Sequence, residues 1–221
     1  SLNVVLYGSV ILLLLIFLSL KIKLLSSFLK KLFFISIFSI VVFVTLFLAG
    51  TTIYLNIISV SGGPVHHHAD FEIWACGKEI NLEDPDGLSN KIGTSTVHEH
   101  NDKRIHIEGV VVNKADESIG RFFESIGGKL INTSITLPAH EENMQFTSGD
   151  MCENGNAGFL QVFVYKVLND TYYQEKIANP MNYIISPHAN VPPGDCIIVE
   201  FDSMKTKTEK ICESFKVAEK V

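Results

Sequence analysis

The first 60 residues of this 221-residue chain contain no Asp, Glu, His or Cys. Their only charges are Lys21, Lys23, Lys30 and Lys31. An ordinary soluble domain, about a quarter charged, is excluded for that stretch. The four Cys of the chain show no Cys-x-x-Cys or Cys-x-x-Cys-His spacing, which argues against a redox-active dithiol or an attached haem. There is no Gly-x-Ser-x-Gly turn, and neither Gly62-Gly63 nor Gly127-Gly128 leads into a Lys-Ser/Thr pair. Nucleophilic catalysis and phosphate-loop nucleotide binding therefore lack their usual carriers. Basic residues are scarce too. After residue 60 only 14 of the 18 Lys and Arg face all 24 Asp and Glu, a balance that speaks against nucleic acid as a partner.

What is present divides into two parts. Residues 4–20 and 32–58 are apolar runs, and about 20 such residues cross the hydrocarbon core of a bilayer. No basic region precedes the first run and no small-residue cleavage site follows it, so the pair reads as a helical hairpin over 1–60 rather than a cleaved signal peptide. All four lysines lie in 21–31, which by the positive-inside rule makes that loop cytoplasmic. Residues 64–221 are then expected to face the periplasm or exterior, attached to the cell membrane by two spans with lipid as the first partner. Four Cys suit such an oxidising compartment. They allow three pairings; Cys196 with Cys212 closes the shortest loop, and Cys76 with Cys152 is its complement.

The second part reads as an α+β domain dominated by strands, with a few short helices. Residues 66–75 are expected as a strand that turns at Cys76-Gly77 into 78–82. Residues 104–112, 131–137, 159–167 and 196–201 are further strands. Asp116 is positioned to cap a helix with Ile119, Phe122, Phe123 and Ile126 on one face and Gly127 as its stop. The sequence 192–195, Pro-Pro-Gly-Asp, predicts a turn. A tail helix over 206–218 would put Ile211, Phe215 and Ala218 on one side. Asn132-Thr133-Ser134 and Asn169-Asp170-Thr171 match the glycosylation sequon.

The chemistry concentrates in two clusters. His66-His67-His68-Ala69-Asp70 on a strand puts His66, His68 and Asp70 on one side. His98-Glu99-His100-Asn101-Asp102, followed by His106 and Glu108, repeats the alternation. Imidazoles two residues apart on a strand project about 6.5–7 Å from one another on one face. Two such pairs on neighbouring strands would build a three- or four-His metal site. The candidate ligands are His66, His68, His98, His100, His106 and Asp70, and zinc or copper suits such donors. Asp70, Asp102 and Glu108 could instead orient the imidazoles. His140 and His188, each isolated, read as solvated side chains. A proton-responsive patch is an alternative use of the cluster.

The runs HHHADFEIWACG, HEHNDKRIHIEG, SIGRFFESIGG and VPPGDCIIVEF resemble a pattern in uncharacterised membrane-anchored extracytoplasmic proteins of bacteria and archaea. The resemblance spans most of 64–202. It implies a shared fold with histidines at His66, His68, His98, His100 and His106, and it implies no activity. His98-x-His100 and Pro193-Gly194 also echo the two cupin motifs, but the Glu after the pair and the second-motif His are missing.

The leading expectation is a membrane-anchored extracytoplasmic protein that binds, delivers or senses zinc or copper. The rival is an accessory subunit of a larger membrane complex, its hairpin packed on other integral membrane subunits through residues such as Thr51 and Thr52. A metal-dependent enzyme comes third, with Glu99 or Glu108 as base.

Overall fold

The computed structural model describes residues 2–21, 26–85, 88, 90–138, 144–168, 171–186 and 194–218. His140, His188, Pro192, Pro193 and the Asn169-Asp170 part of the second sequon lie outside them. The chain divides into two compact units, Ser1–Ile58 and Ser59–Val221.

The first unit holds α1 (Leu2–Lys21) and α2 (Ser27–Ile58). Both are long and apolar enough to cross a membrane, about 30 Å and 48 Å at 1.5 Å per residue. Helix α2 begins before the apolar run, so Lys30 and Lys31 lie in its opening turns rather than in a loop. Thr51 Oγ1 donates to Phe47 O at 2.8 Å and Thr52 Oγ1 to Leu48 O at 2.9 Å. Each hydroxyl is thus satisfied on its own helix backbone. At Gly8 the helices come close: a Cβ there would lie 2.8 Å from Val44 Cγ2.

The second unit is α+β and strand-dominated. Its first elements are β1 (Pro64–Ala75), β2 (Lys78–Ile80), β3 (Ile92–Gly93), β4 (Val97–Glu99), β5 (Arg104–Val110) and α3 (Ile119–Ser125). Next come β6 (Lys129–Leu130), β7 (Ser134–Leu137), β8 (Met144–Thr147), β9 (Phe159–Leu168), β10 (Thr171–Lys176), β11 (Cys196–Asp202) and α4 (Glu213–Ala218). The larger sheet among the described residues runs β10-β9-β11-β1-β5-β4-β3, with β2 also on β1, and β6-β7-β8 form a smaller one. Strand β1 is long enough to serve two sets of neighbours. Its first half, to Asp70, pairs antiparallel with β5, and from Asp70 onward it pairs parallel with β11.

The odd-numbered side chains of β1 face the main core. Ala69, Phe71, Ile73 and Ala75 join Ile105 and Ile107 of β5 there, with Val162, Val164, Ile197 and Val199. Helix α3 lies on this face through Ile119, Phe122 and Phe123, and Phe122 meets Phe71 edge-on at 5.1 Å between ring centres. Among the described residues, the opposite face is covered by the tail over β10, β9, β11 and the second half of β1. There Phe163, Ile198 and Phe215 pack together beside the Cys196–Cys212 disulfide. The second disulfide joins Cys76 to Cys152.

Three local expectations are corrected. Ser118, not Asp116, caps α3: its side chain accepts from Arg121 N at 3.2 Å, while Asp116 sits inside a preceding 3-10 turn opened by Asn113. The strand expected over 131–137 is a hairpin, because Ile131 N donates to Ser134 O and the chain reverses between β6 and β7. The tail is helical only from Glu213. Gln174 clamps Thr208 by accepting from its N–H at 2.9 Å and donating to its carbonyl at 2.8 Å. A backbone committed to a side chain in this way cannot also close helical turns. Ile211 and Phe215 do face the sheet; the side chain of Ala218 lies outside the described residues.

Candidate metal centre

Strand register assembles the site. In the β1–β5 ladder His68 stands opposite His106 and His66 opposite Glu108. In the β4–β5 ladder His98 stands opposite the same His106. Three imidazoles from three adjacent strands therefore lie in a row on a part of the sheet that no described residue covers, with β5 in the middle. His66 flanks one end, its ring centre 4.6 Å from that of His68. His100, just after β4, flanks the other, its centre 4.8 Å from those of His98 and His106.

The two His-x-His pairs do not converge on each other. Each converges on His106. One ligand nitrogen from each of His66, His68 and His106 lies within 4.8 Å of the others, and the same holds for His98, His100 and His106. That spacing brackets the separation of nitrogens bound at 2.0–2.1 Å to one ion. Asp70 is not brought to either triad, although it leaves β1 on the same face. Its Oδ1 accepts from Arg104 Nε at 2.8 Å and its Oδ2 accepts from the Ser214 hydroxyl of α4. A carboxylate held by a guanidinium and the tail is committed elsewhere. His67 turns to the other side of β1, where with Lys114 and Glu117 it lines a cleft of about 440 Å³.

Four carbonyl or carboxylate oxygens, from three residues, set the imidazoles. Asp102 Oδ2 lies 3.0 Å from His106 Nε2; an ionised carboxylate only accepts, so that nitrogen carries the proton and Nδ1 keeps the lone pair. His100 Nδ1 lies 2.5 Å from the Asn90 carbonyl, which likewise places its proton on Nδ1 and its lone pair on Nε2. Glu108 reaches both sides, with Oε1 3.2 Å from His66 Nε2 and Oε2 3.8 Å from His98 Nε2. Such outer contacts orient and sharpen metal-binding imidazoles.

The loop that presents Asp102 is strained. Asn101 and Lys103 take left-handed backbone conformations, φ 61° and 55°. Asn tolerates that region and Lys does so less readily. The loop is tied by Arg104 N donating to Asp102 Oδ1 at 3.1 Å and by the Lys103–Glu79 ion pair. Behind β4, Gly93 has φ 123°, and a Cβ there would stand 2.6 Å from Val97 O and 2.9 Å from His98 Cα. Only glycine lets β3 lie so close.

Electrostatics keep His68 and His98 neutral. Burial, reinforced by Lys91 and opposed by Glu108, pushes His98 down to about 4. Burial, with His106, His66 and Arg104 adding to it, also holds His68 below its ordinary value. Both offer lone pairs at neutral pH. His98 Nδ1 is buried without a hydrogen-bond partner among the described residues. An orphaned imidazole nitrogen in a row of five histidines is chemically a vacant donor, and buried polar groups are rarely left so.

Glu99 belongs elsewhere. The alternation of β4 turns it to the core face, away from His98, where it lines a cavity of about 170 Å³ with Ile73, Ile80 and Asn101. Its Oε1 accepts from Asp102 N at 3.1 Å, and burial raises its pKa. As a base acting on an ion held by the histidines it is on the wrong side of the sheet; Glu108 is on the right one. The role of Asn90 was not readable from the sequence, because it lies 10 residues before His100 with no pattern linking them.

No protein-family model, curated protein or solved structure matches the chain.

Proposed function

We propose that this protein is a membrane-anchored, extracytoplasmic metal-binding protein that takes zinc or copper at its clustered strand histidines, for binding, delivery or sensing. One observation carries the reading: two triads of histidine nitrogens, each within 4.8 Å, built around a shared His106. Neutral imidazoles with carboxylates behind them are suitable donors for either ion. Helices α1 and α2 supply the anchor, and the Lys21 to Lys31 segment stays cytoplasmic. The two disulfides favour an oxidising compartment for the sheet domain.

The test is metal analysis of the full chain purified without a histidine tag or chelator. About one equivalent of zinc or copper is expected, lost on combining His98→Ala with His100→Ala. Below about half an equivalent of any transition metal, unchanged by that double variant, the reading falls.

A further inference from the structure

The inference below rests on the metal-binding reading and concerns how an ion travels through the site. The two triads differ in access. The His66 side chain is 61% exposed and that of His98 is 1% exposed. They share His106 on the central strand. Asp102 holds the proton of His106 on Nε2, so His106 has a single lone pair to give and cannot serve both triads together.

We infer that the site holds one ion at a time and offers it two successive positions. The outer position, at His66, His68 and His106, is where an ion arrives from solution or from a donor chelate. The inner position, at His98, His100 and His106, is where it is kept. Movement inward breaks the bonds to His66 and His68 as bonds to His98 and His100 form. His106 stays bound throughout, so the ion is never released, and no electron or proton changes hands. Glu108 faces one histidine of each triad through its two oxygens, placing negative charge along the path. The inner position has one fully buried donor, His98, beside the half-buried His100 and His106, and the unpartnered Nδ1 of His98 gains its missing contact there.

The experiment is a Cu²⁺ titration of the full chain in detergent micelles, with stopped-flow absorbance of the copper–imidazole bands. One equivalent is expected, taken up in a concentration-dependent phase followed by a concentration-independent one. His66→Ala with His68→Ala should slow the first phase at least about tenfold while changing Kd less than about threefold. His98→Ala with His100→Ala should keep the fast phase, lose the slow one and weaken Kd more than about tenfold. If the His98 variant fails to fold, His100→Ala alone, at a half-buried position, should still remove the slow phase. Two equivalents bound together would overturn the inference, as would an outer pair whose loss weakens Kd as much as loss of the inner pair. Both results leave metal binding itself intact. No copper uptake by the unmodified chain would instead remove the reading beneath it.

Discussion

The two halves of β1 share one strand, one alternation and one sheet face, yet they differ in nearly everything else. Before Asp70 the even-numbered side chains are Pro64, His66 and His68, half-buried to exposed, with Val110, Glu108 and His106 opposite. From Asp70 onward they are Asp70, Glu72 and Trp74, covered by the tail. Ser214 donates to Asp70, Trp74 Nε1 donates to Glu72 at 2.9 Å, and the Lys210 ammonium sits 3.8 Å above the Trp74 ring. What differs is coverage: β11 begins level with Asp70, and the Cys196–Cys212 disulfide pins the described part of the tail over the second half.

That division can be broken or sharpened experimentally. The largest effect is expected from Phe215→Ala, which empties a fully buried position beside Phe163 and Tyr172. It should cost about 3–5 kcal/mol in urea unfolding and leave the metal equivalents of the folded protein unchanged. Replacing Cys196 and Cys212 together by Ser should cost about 3 kcal/mol, because the bond closes a short loop. Loss of metal affinity in parallel with that destabilisation would show that the two halves are not separable.

Acid should act on the open half. His98 has its pKa lowered in the fold, so its contribution to stability is fully present above about 6.5 and is lost as pH falls towards about 4. Glu99, raised by burial, works with the opposite sign. Urea midpoints of the metal-free protein between pH 7 and 4 should therefore fall less steeply in His98→Asn than in the unmodified chain; equal slopes would rule His98 out as a source. Smallest is His66→Ala, at a largely exposed side chain, which should shift stability by less than about 0.5 kcal/mol, read by the same unfolding curve.

Period-two alternation made much of this visible beforehand. His66, His68 and Asp70 on one face, and the apolar stripe of Ile119, Phe122 and Phe123, follow from spacing alone. The placement of β5 between β1 and β4 does not, since strand order is set by pairings between distant segments. For that reason the common member of both triads is His106, rather than the two His-x-His pairs meeting directly. Asp70 looked like a ligand because alternation reports the face and says nothing of Ser214, 144 residues away. The tail looked helical because its apolar spacing fits, and the competing grip of Gln174 on Thr208 spans 34 residues. Ser118 displaced Asp116 as the cap because either residue is a good one; the 3-10 turn that uses up Asp116 decided between them.

Gly93 gives the site a lopsided tolerance for mutational drift. Any side chain at that position would collide with Val97 O and the Cα of His98, and would evict the inner histidine by moving its backbone. Nothing comparable constrains His66, whose ring stands largely in solvent. A lineage is therefore free to exchange His66, while His98 is tied to a glycine five residues upstream of it.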